Sequence, residues 1–134
     1  MAADYVVQLI VPAEPGSARL ARLVAAAVAA DASFTLDDTE DLRVAVSELV
    51  ALLVEGAVNT EDTITLRYRR TPDQVEVTGT RPMQTPSEQP APVDGAEPDD
   101  LALEILRVVV DEHRFERDAE GRHFQLSKRA RVEV

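Results

Sequence analysis

Hydrophobic and polar positions follow two periods along the chain, and the shorter period marks strands. The β-branched run "DYVVQLIVP" (4–12) ends at a proline and predicts a first strand. Alternation in "DTITLRYRR" (62–70) and "VEVTGT" (75–80), separated by the turn "TPDQ", predicts a β-hairpin. The segment "RFERDAEGRHFQLSKRARV" (114–132) predicts a second hairpin that turns at "DAEGR".

Three other segments place apolar residues at helical spacing. Residues 14–33, "EPGSARLARLVAAAVAADAS", predict a helix capped near Ser17. The segment "EDLRVAVSELVALLVEGAV" (40–58) predicts a second helix that begins near Leu36–Asp38, where acidic residues suit the helix dipole. A third helix is predicted at "DDLALEILRVVVDEH" (99–113).

The resulting order, β-α-α-β-β-loop-α-β-β, predicts one domain over residues 1–134. We expect an α/β (α+β) two-layer sandwich, in which three helices cover one face of a mixed sheet of about five strands. The alternation within the strands agrees, because the other sheet face would meet water. Residues 81–98 contain five prolines and predict a long surface loop.

The charge of the chain argues against nucleic acid as a partner. The formal net charge is −11, and proteins that bind a phosphate backbone bring a positive surface to it. Residues 1–66 hold eleven acidic side chains against three arginines, whereas residues 67–134 hold fourteen acidic against eleven basic ones. The acidic N-terminal half fits a basic protein partner, and it also fits a simple contribution to solubility.

Metal-site and membrane signals are weak. The chain has no cysteine, and its two histidines, His113 and His123, lie ten residues apart on different predicted elements, so no metal site is predicted. The apolar run "YVVQLIV" is too short to span a bilayer, and no signal-peptide pattern precedes it. We therefore expect a cytoplasmic protein that does not enter a membrane.

Three segments carry a family resemblance: "VPAEPGSARLARLV" (11–24), "EDLRVAVSELV" (40–50) and "LEILRVVVDEHRF" (103–115). Together with the element order, they resemble the GHKL-type ATPase domain of anti-sigma factor serine kinases of the partner-switching type. The resemblance implies that family's fold, a sigma factor and an anti-anti-sigma protein of the STAS type as partners, and a homodimer as one expected assembly. It also implies that the loop 81–98 corresponds to the lid over ATP.

The second helix corresponds to the family's N box, in which three polar residues four positions apart share one helix face. Glu48 matches the glutamate that orients or deprotonates a hydroxyl group or a water molecule. Leu52 stands where the family has the asparagine that holds Mg²⁺, and it offers no oxygen to a metal. Gly56 occupies the third position.

The other nucleotide motifs also depart from the family pattern. In "VTGTRPM" Gly79 is retained, but Val77 stands where the family has the aspartate that binds adenine. Glu97, Asp99 and Asp100 stand at the start of the last helix, where the family's glycines cradle phosphate. A carboxylate about 4 Å from a phosphate charge costs roughly 4 kcal/mol at an effective dielectric constant near 20. We expect no cofactor, with Mg-ATP required only if the divergent site functions.

Two residues remain open to more than one interpretation. Glu48 is interpreted as a vestigial or solvated carboxylate at the margin of a partly collapsed cleft; a catalytic base and a partner contact are the alternatives. Arg19 matches the place of an arginine that contacts the sigma factor in the family, and an ordinary surface arginine is the alternative.

Three functions follow from these interpretations. The first is an anti-sigma-factor-like regulator that binds a sigma factor, a STAS-type antagonist or both, and whose ATP binding is lost or weak. The second is an active Mg-ATP-dependent protein serine kinase with Glu48 as its base. The third is an inactive GHKL adaptor subunit paired with another protein of that class.

Overall fold

The computed structural model describes residues 4–57, 61–82 and 100–130. The described strands are β1 Tyr5–Pro12, β2 Thr63–Thr71, β3 Gln74–Pro82, β4 Glu112–Asp118 and β5 Gly121–Arg129. They form one sheet in the order β1-β2-β3-β5-β4. The helices are a 3-10 turn Pro15–Ser17, α1 Ala18–Ala30, α2 Leu36–Val54 and α3 Asp100–Val109. The predicted element order and both hairpins are confirmed.

The prediction of a mixed sheet is wrong, because all four neighbouring strand pairs of the described sheet are antiparallel. Two helices separate β1 from β2, so the chain reverses its direction an odd number of times and the two strands run in opposite directions. Only one helix separates β3 from β4, and these two strands are parallel. They are not neighbours, however, because the hairpin returns β5 between them.

The helix boundaries follow local hydrogen bonds. Thr35 and Asp38 form a capping box that starts α2: the Asp38 N–H donates to Thr35 Oγ1 at 3.0 Å, and the Thr35 N–H donates to Asp38 Oδ2 at 3.1 Å. Ser17 precedes α1 but makes no side-chain cap, since its Oγ donates to the carbonyl of Pro12 at 2.6 Å.

The last helix and the proline-rich segment differ from the predicted bounds. Helix α3 ends at Val109, and β4 already begins at Glu112, where the sequence predicted that the helix continued. Arg81 and Pro82 belong to β3, and the remainder of the predicted lid-like loop, 83–98, lies outside the described residues. No helix in the described part of the chain combines the length and apolar character needed to cross a bilayer.

The three helices cover one sheet face, and the core lies between the two layers. Strand β2 shows the alternation: Ile64, Leu66 and Tyr68 are fully buried, whereas Arg67 and Arg69 point to the open face and are exposed. The Tyr68 hydroxyl donates to the carbonyl of Ala21 on α1 at 2.9 Å. Burial raises the pKa of Tyr68, so this hydroxyl stays protonated as a hydrogen-bond donor.

Charged side chains flank the apolar centre of the helix-covered face. On one side, Arg70 donates to the carbonyl of Asp31 at 2.9 Å, and its guanidinium lies 4.5 Å from the Tyr5 ring centroid. Lys128 lies in the same cross-strand row as Arg70, because Val75 on β3 pairs with both residues. The Lys128 Nζ atom lies 3.3 Å from Asp41 Oδ2 and 4.0 Å from Asp38 Oδ1. Polar contacts of Arg70 and Lys128 therefore connect the sheet to the helix layer, in addition to the apolar contacts of the core.

Candidate functional site

The outer face of α2 borders a groove of about 370 Å³. The described residues that line it belong to the turn before α1, to α1, to α2 with the residue that follows it, and to α3. They consist of Pro15, Ala18, Ser47, Glu48, Val50, Ala51, Leu52, Val54, Glu55 and Ala102. The predicted site residues Glu48 and Leu52 therefore lie in one groove, as their helical spacing implies.

Two carboxylate side chains, Glu48 and Glu55, give the groove its charge. No lysine or arginine occurs among the described lining residues. The neighbouring Ser47 is engaged within the helix layer, since its Oγ donates to the carbonyl of Arg43 at 3.1 Å and accepts from Arg22 at 3.1 Å. The described lining therefore carries negative charge, which favours a cation over an anion next to Glu48.

Leu52 lies between the groove and the core, and its side chain is almost fully buried. Its exposed fraction is 2%, and it belongs to the buried apolar cluster beneath α2. The polar group that it does present is its backbone carbonyl, which accepts a hydrogen bond from Arg122 at 2.9 Å.

Gly56 ends α2. The helix closes at Val54, and Gly56 has a φ of 75°, a left-handed conformation that glycine adopts without steric cost. The structure thus gives Gly56 a conformational role at a position that the resemblance associates with nucleotide binding.

Gly79 lies where β3 passes directly beneath α2. A Cβ atom added there would stand 2.6 Å from Leu53 Cδ1, 2.9 Å from Leu49 Cδ2 and 3.0 Å from Leu66 Cδ2. These separations are shorter than normal van der Waals contact, so α2 and β3 can approach this closely only because residue 79 has no side chain.

The family model of the histidine kinase-like ATPase domain matches residues 11–128, a span that includes every element of the fold except the N-terminal part of β1 and the last residue of β5. The chain belongs to the histidine kinase-like ATPase domain family. The match includes the groove, both glycines and the capping box of α2.

Two relatives of the ATPase domain agree with this assignment. The chain is 37% identical over 76 residues to the serine-protein kinase RsbW of Bacillus velezensis, an alignment that covers 55% of the chain and 47% of the relative. The chain therefore spans about half the length of that relative. The crystal structure of the RsbU and RsbW domains of Rv1364c from Mycobacterium tuberculosis has the same fold, with a TM-score of 0.66 at 18% identity over 97% of this chain and 35% of that one. The resemblance to serine kinases of the partner-switching type is confirmed.

Arg19 lies exposed at the start of α1 of this ATPase domain, beside the groove residue Ala18. Its role as a partner contact stays a prediction.

Three potential metal ligands lie close together around the turn between β4 and β5, and the sequence did not predict this proximity. Ligand atoms of Asp118, Glu120 and His123 lie within 4.8 Å of one another. The backbone N–H of Glu120 donates to the Asp118 carboxylate at 2.8 Å, and this bond, together with the contact to His123, lowers the pKa of Asp118. Internal hydrogen bonds of the turn thus account for the proximity of these groups.

Sequence reasoning also missed a set of arginines around the end of α2. Arg81 donates to the carbonyl of Glu55 at 3.0 Å, and Arg122 donates to that of Leu52. The two arginines are far apart in the chain, and only the pairing of β3 with β5 makes them neighbours. A cation at the negative end of the helix dipole stabilises α2.

Proposed function

We propose that the protein is an anti-sigma-factor-like regulator that acts by binding a sigma factor, a STAS-type antagonist or both, with lost or weak ATP binding. The membership in a kinase-like ATPase family supports the regulatory class, and RsbW is named as a serine-protein kinase. The observation that carries the proposal is the chemistry of the groove on α2, where Leu52 replaces a metal ligand and the only charged groups described are carboxylates.

Electrostatics of the groove support weak nucleotide binding. A phosphate in the groove would meet Glu48 without a described cation in the lining, whereas Arg81 and Arg122 lie near Glu55 at the end of α2. Such a carboxylate–phosphate pair costs roughly 4 kcal/mol at about 4 Å and an effective dielectric constant near 20.

One observation favours a second candidate, an active Mg-ATP-dependent protein serine kinase. Glu48 is only half-buried and lines a groove that is open to solvent, so a substrate hydroxyl could reach it. A carboxylate at such a place can act as a general base.

A thermal-shift titration with Mg-ATP separates the two candidates. We expect the melting temperature to stay unchanged at millimolar Mg-ATP, because the groove provides neither a metal ligand at Leu52 nor a described cation for the phosphates. A ligand at a hundred times its dissociation constant would stabilise the fold by about 2.7 kcal/mol, which such an assay detects. A clear shift, together with phosphotransfer that Glu48→Gln abolishes, would establish the kinase instead.

Binding to purified partners tests the proposed function directly. We expect the protein to bind at least one sigma factor or STAS-domain protein encoded in its source genome, and Arg19→Glu to weaken that complex about tenfold through charge reversal at the contact. The matched control is Arg107→Glu, which reverses an exposed arginine on α3. Equal affinity of the two variants would remove Arg19 from the interface, and failure to bind any such protein would refute the proposal. Light scattering on the same samples tests the expected homodimer.

A further inference from the structure

Three arginines stand side by side across three neighbouring strands at the end of α2. Arg122 on β5 is the direct cross-strand partner of Arg81 on β3 and of Arg117 on β4. Directly paired residues of neighbouring strands point to the same sheet face, so all three guanidinium groups extend toward the helix side. We call this set, Arg81, Arg122 and Arg117, the arginine row.

The row is held in place by the backbone of α2 and remains open to solvent. Arg81 and Arg122 each donate to a carbonyl of the last turn, and Arg122 Nη2 lies near Gly56. Arg117 is exposed and makes no hydrogen bond or ion pair with any residue in the described ranges. A guanidinium carries five N–H donors, so Arg117 and Arg122 retain most of their donors for a further acceptor.

The described surroundings of Arg122 hold more positive than negative charge. Like charges directly opposite each other on neighbouring strands repel. Burial, followed by the charges of Arg81 and Arg117, lowers the pKa of Arg122, and among the described residues Glu55 acts in the opposite direction. This local excess of positive charge is notable in a chain whose formal net charge is −11. A cluster of like charges held together in this way gains stability when an anion binds it.

We propose that the arginine row is a binding site for a phosphate group. A phosphate offers several oxygens to the planar donor forks of arginine, and three guanidiniums from adjacent strands can surround one such group. The row borders the groove, because Arg81 and Arg122 donate to the carbonyls of the lining residues Glu55 and Leu52. The row itself includes no described lining residue, and this inference does not depend on the proposed function. The phosphate can be free in solution or carried by a phosphoserine, and both present the same oxygens.

The test is an NMR titration of the full chain with inorganic phosphate at low ionic strength. We expect saturable shifts of the backbone amides of Gly56, Arg81 and Arg122. Arg117→Gln should weaken binding about tenfold, as the loss of a charge-assisted hydrogen bond implies. Arg114→Gln is the matched control: it lies on the same strand, removes the same charge and points to the opposite face, where its exposed ion pair with Glu116 at 3.3 Å contributes little.

A second titration distinguishes the two sources of phosphate. A short phosphoserine peptide that binds the row more tightly than inorganic phosphate would identify a phosphorylated protein as the ligand, whereas equal affinities would identify the small anion. Either result supports the site. Absence of saturable shifts, or equal weakening by Arg117→Gln and Arg114→Gln, would overturn it, since the second outcome means that only the net charge matters.

Discussion

Gly79→Ala is expected to lower the free energy of unfolding by about 1–3 kcal/mol, the usual cost of inserting a methyl group into a packed core. The added Cβ would stand 2.6 Å from Leu53 and 2.9 Å from Leu49, so α2 must move away from β3 or both leucines must leave their rotamers. Urea denaturation followed by circular dichroism measures the change at constant m-value.

Gly16→Ala is the matched control for this prediction. The nearest atom to a Cβ at residue 16 is Glu14 Oε1, the end of a flexible side chain, at 3.7 Å. Gly16→Ala should therefore change stability by less than about 0.5 kcal/mol, as surface substitutions usually do. Equal effects of the two substitutions would show that the contact between α2 and β3 is looser than described.

Lys128→Met should be the most destabilising of the proposed substitutions, at about 3 kcal/mol, because breaking a buried ion pair from one side leaves the opposite charge in the core. The Lys128 ammonium lies 3.3 Å from Asp41 Oδ2 and 4.0 Å from Asp38 Oδ1, and the Asp38 side chain is 0% exposed. The substitution keeps the aliphatic volume and removes the charge. Urea denaturation at neutral pH gives the change in unfolding free energy.

The neighbouring Arg129→Met supplies the control. Arg129 points to the open sheet face and pairs with Glu112 at 3.2 Å, where both side chains are more than half exposed. An exposed ion pair of this kind contributes about 0–1 kcal/mol, so this variant should remain close to the natural protein. Similar stabilities of the Lys128 and Arg129 variants would mean that water reaches the Lys128–Asp38 contact.

The local pattern of hydrophobic and polar residues predicted most of the helices and strands. The two periods of hydrophobicity predicted three helices and five strands in the correct order, because each strand and helix buries one face and the alternation records it. The start of α2 at Leu36 was predicted from its acidic first turn, and the structure adds the reciprocal bonds between Thr35 and Asp38. The end of α3 was predicted too late, since its apolar run continues without a stop signal into the turn before β4.

The sequence predicted only the part of the candidate site that lies on one face of α2. Helical spacing correctly placed Glu48 and Leu52 together, and the structure shows that Glu55 joins them in the groove. The remaining features depend on partners distant in the chain. The arginine row requires the pairing of β3, β5 and β4, and nothing in the local sequence of Arg117 indicates that Arg81 lies two strands away.

The sequence by itself determined the secondary structure, the family and the loss of an oxygen ligand at Leu52, because these depend on residue identity and on spacing within one segment. Only the tertiary structure decided the antiparallel order of the strands, the steric reason for Gly79 and the burial of Lys128 against Asp38. Each of these arises where two distant segments meet, and the free energy of such a contact depends on distances that local periodicity does not encode.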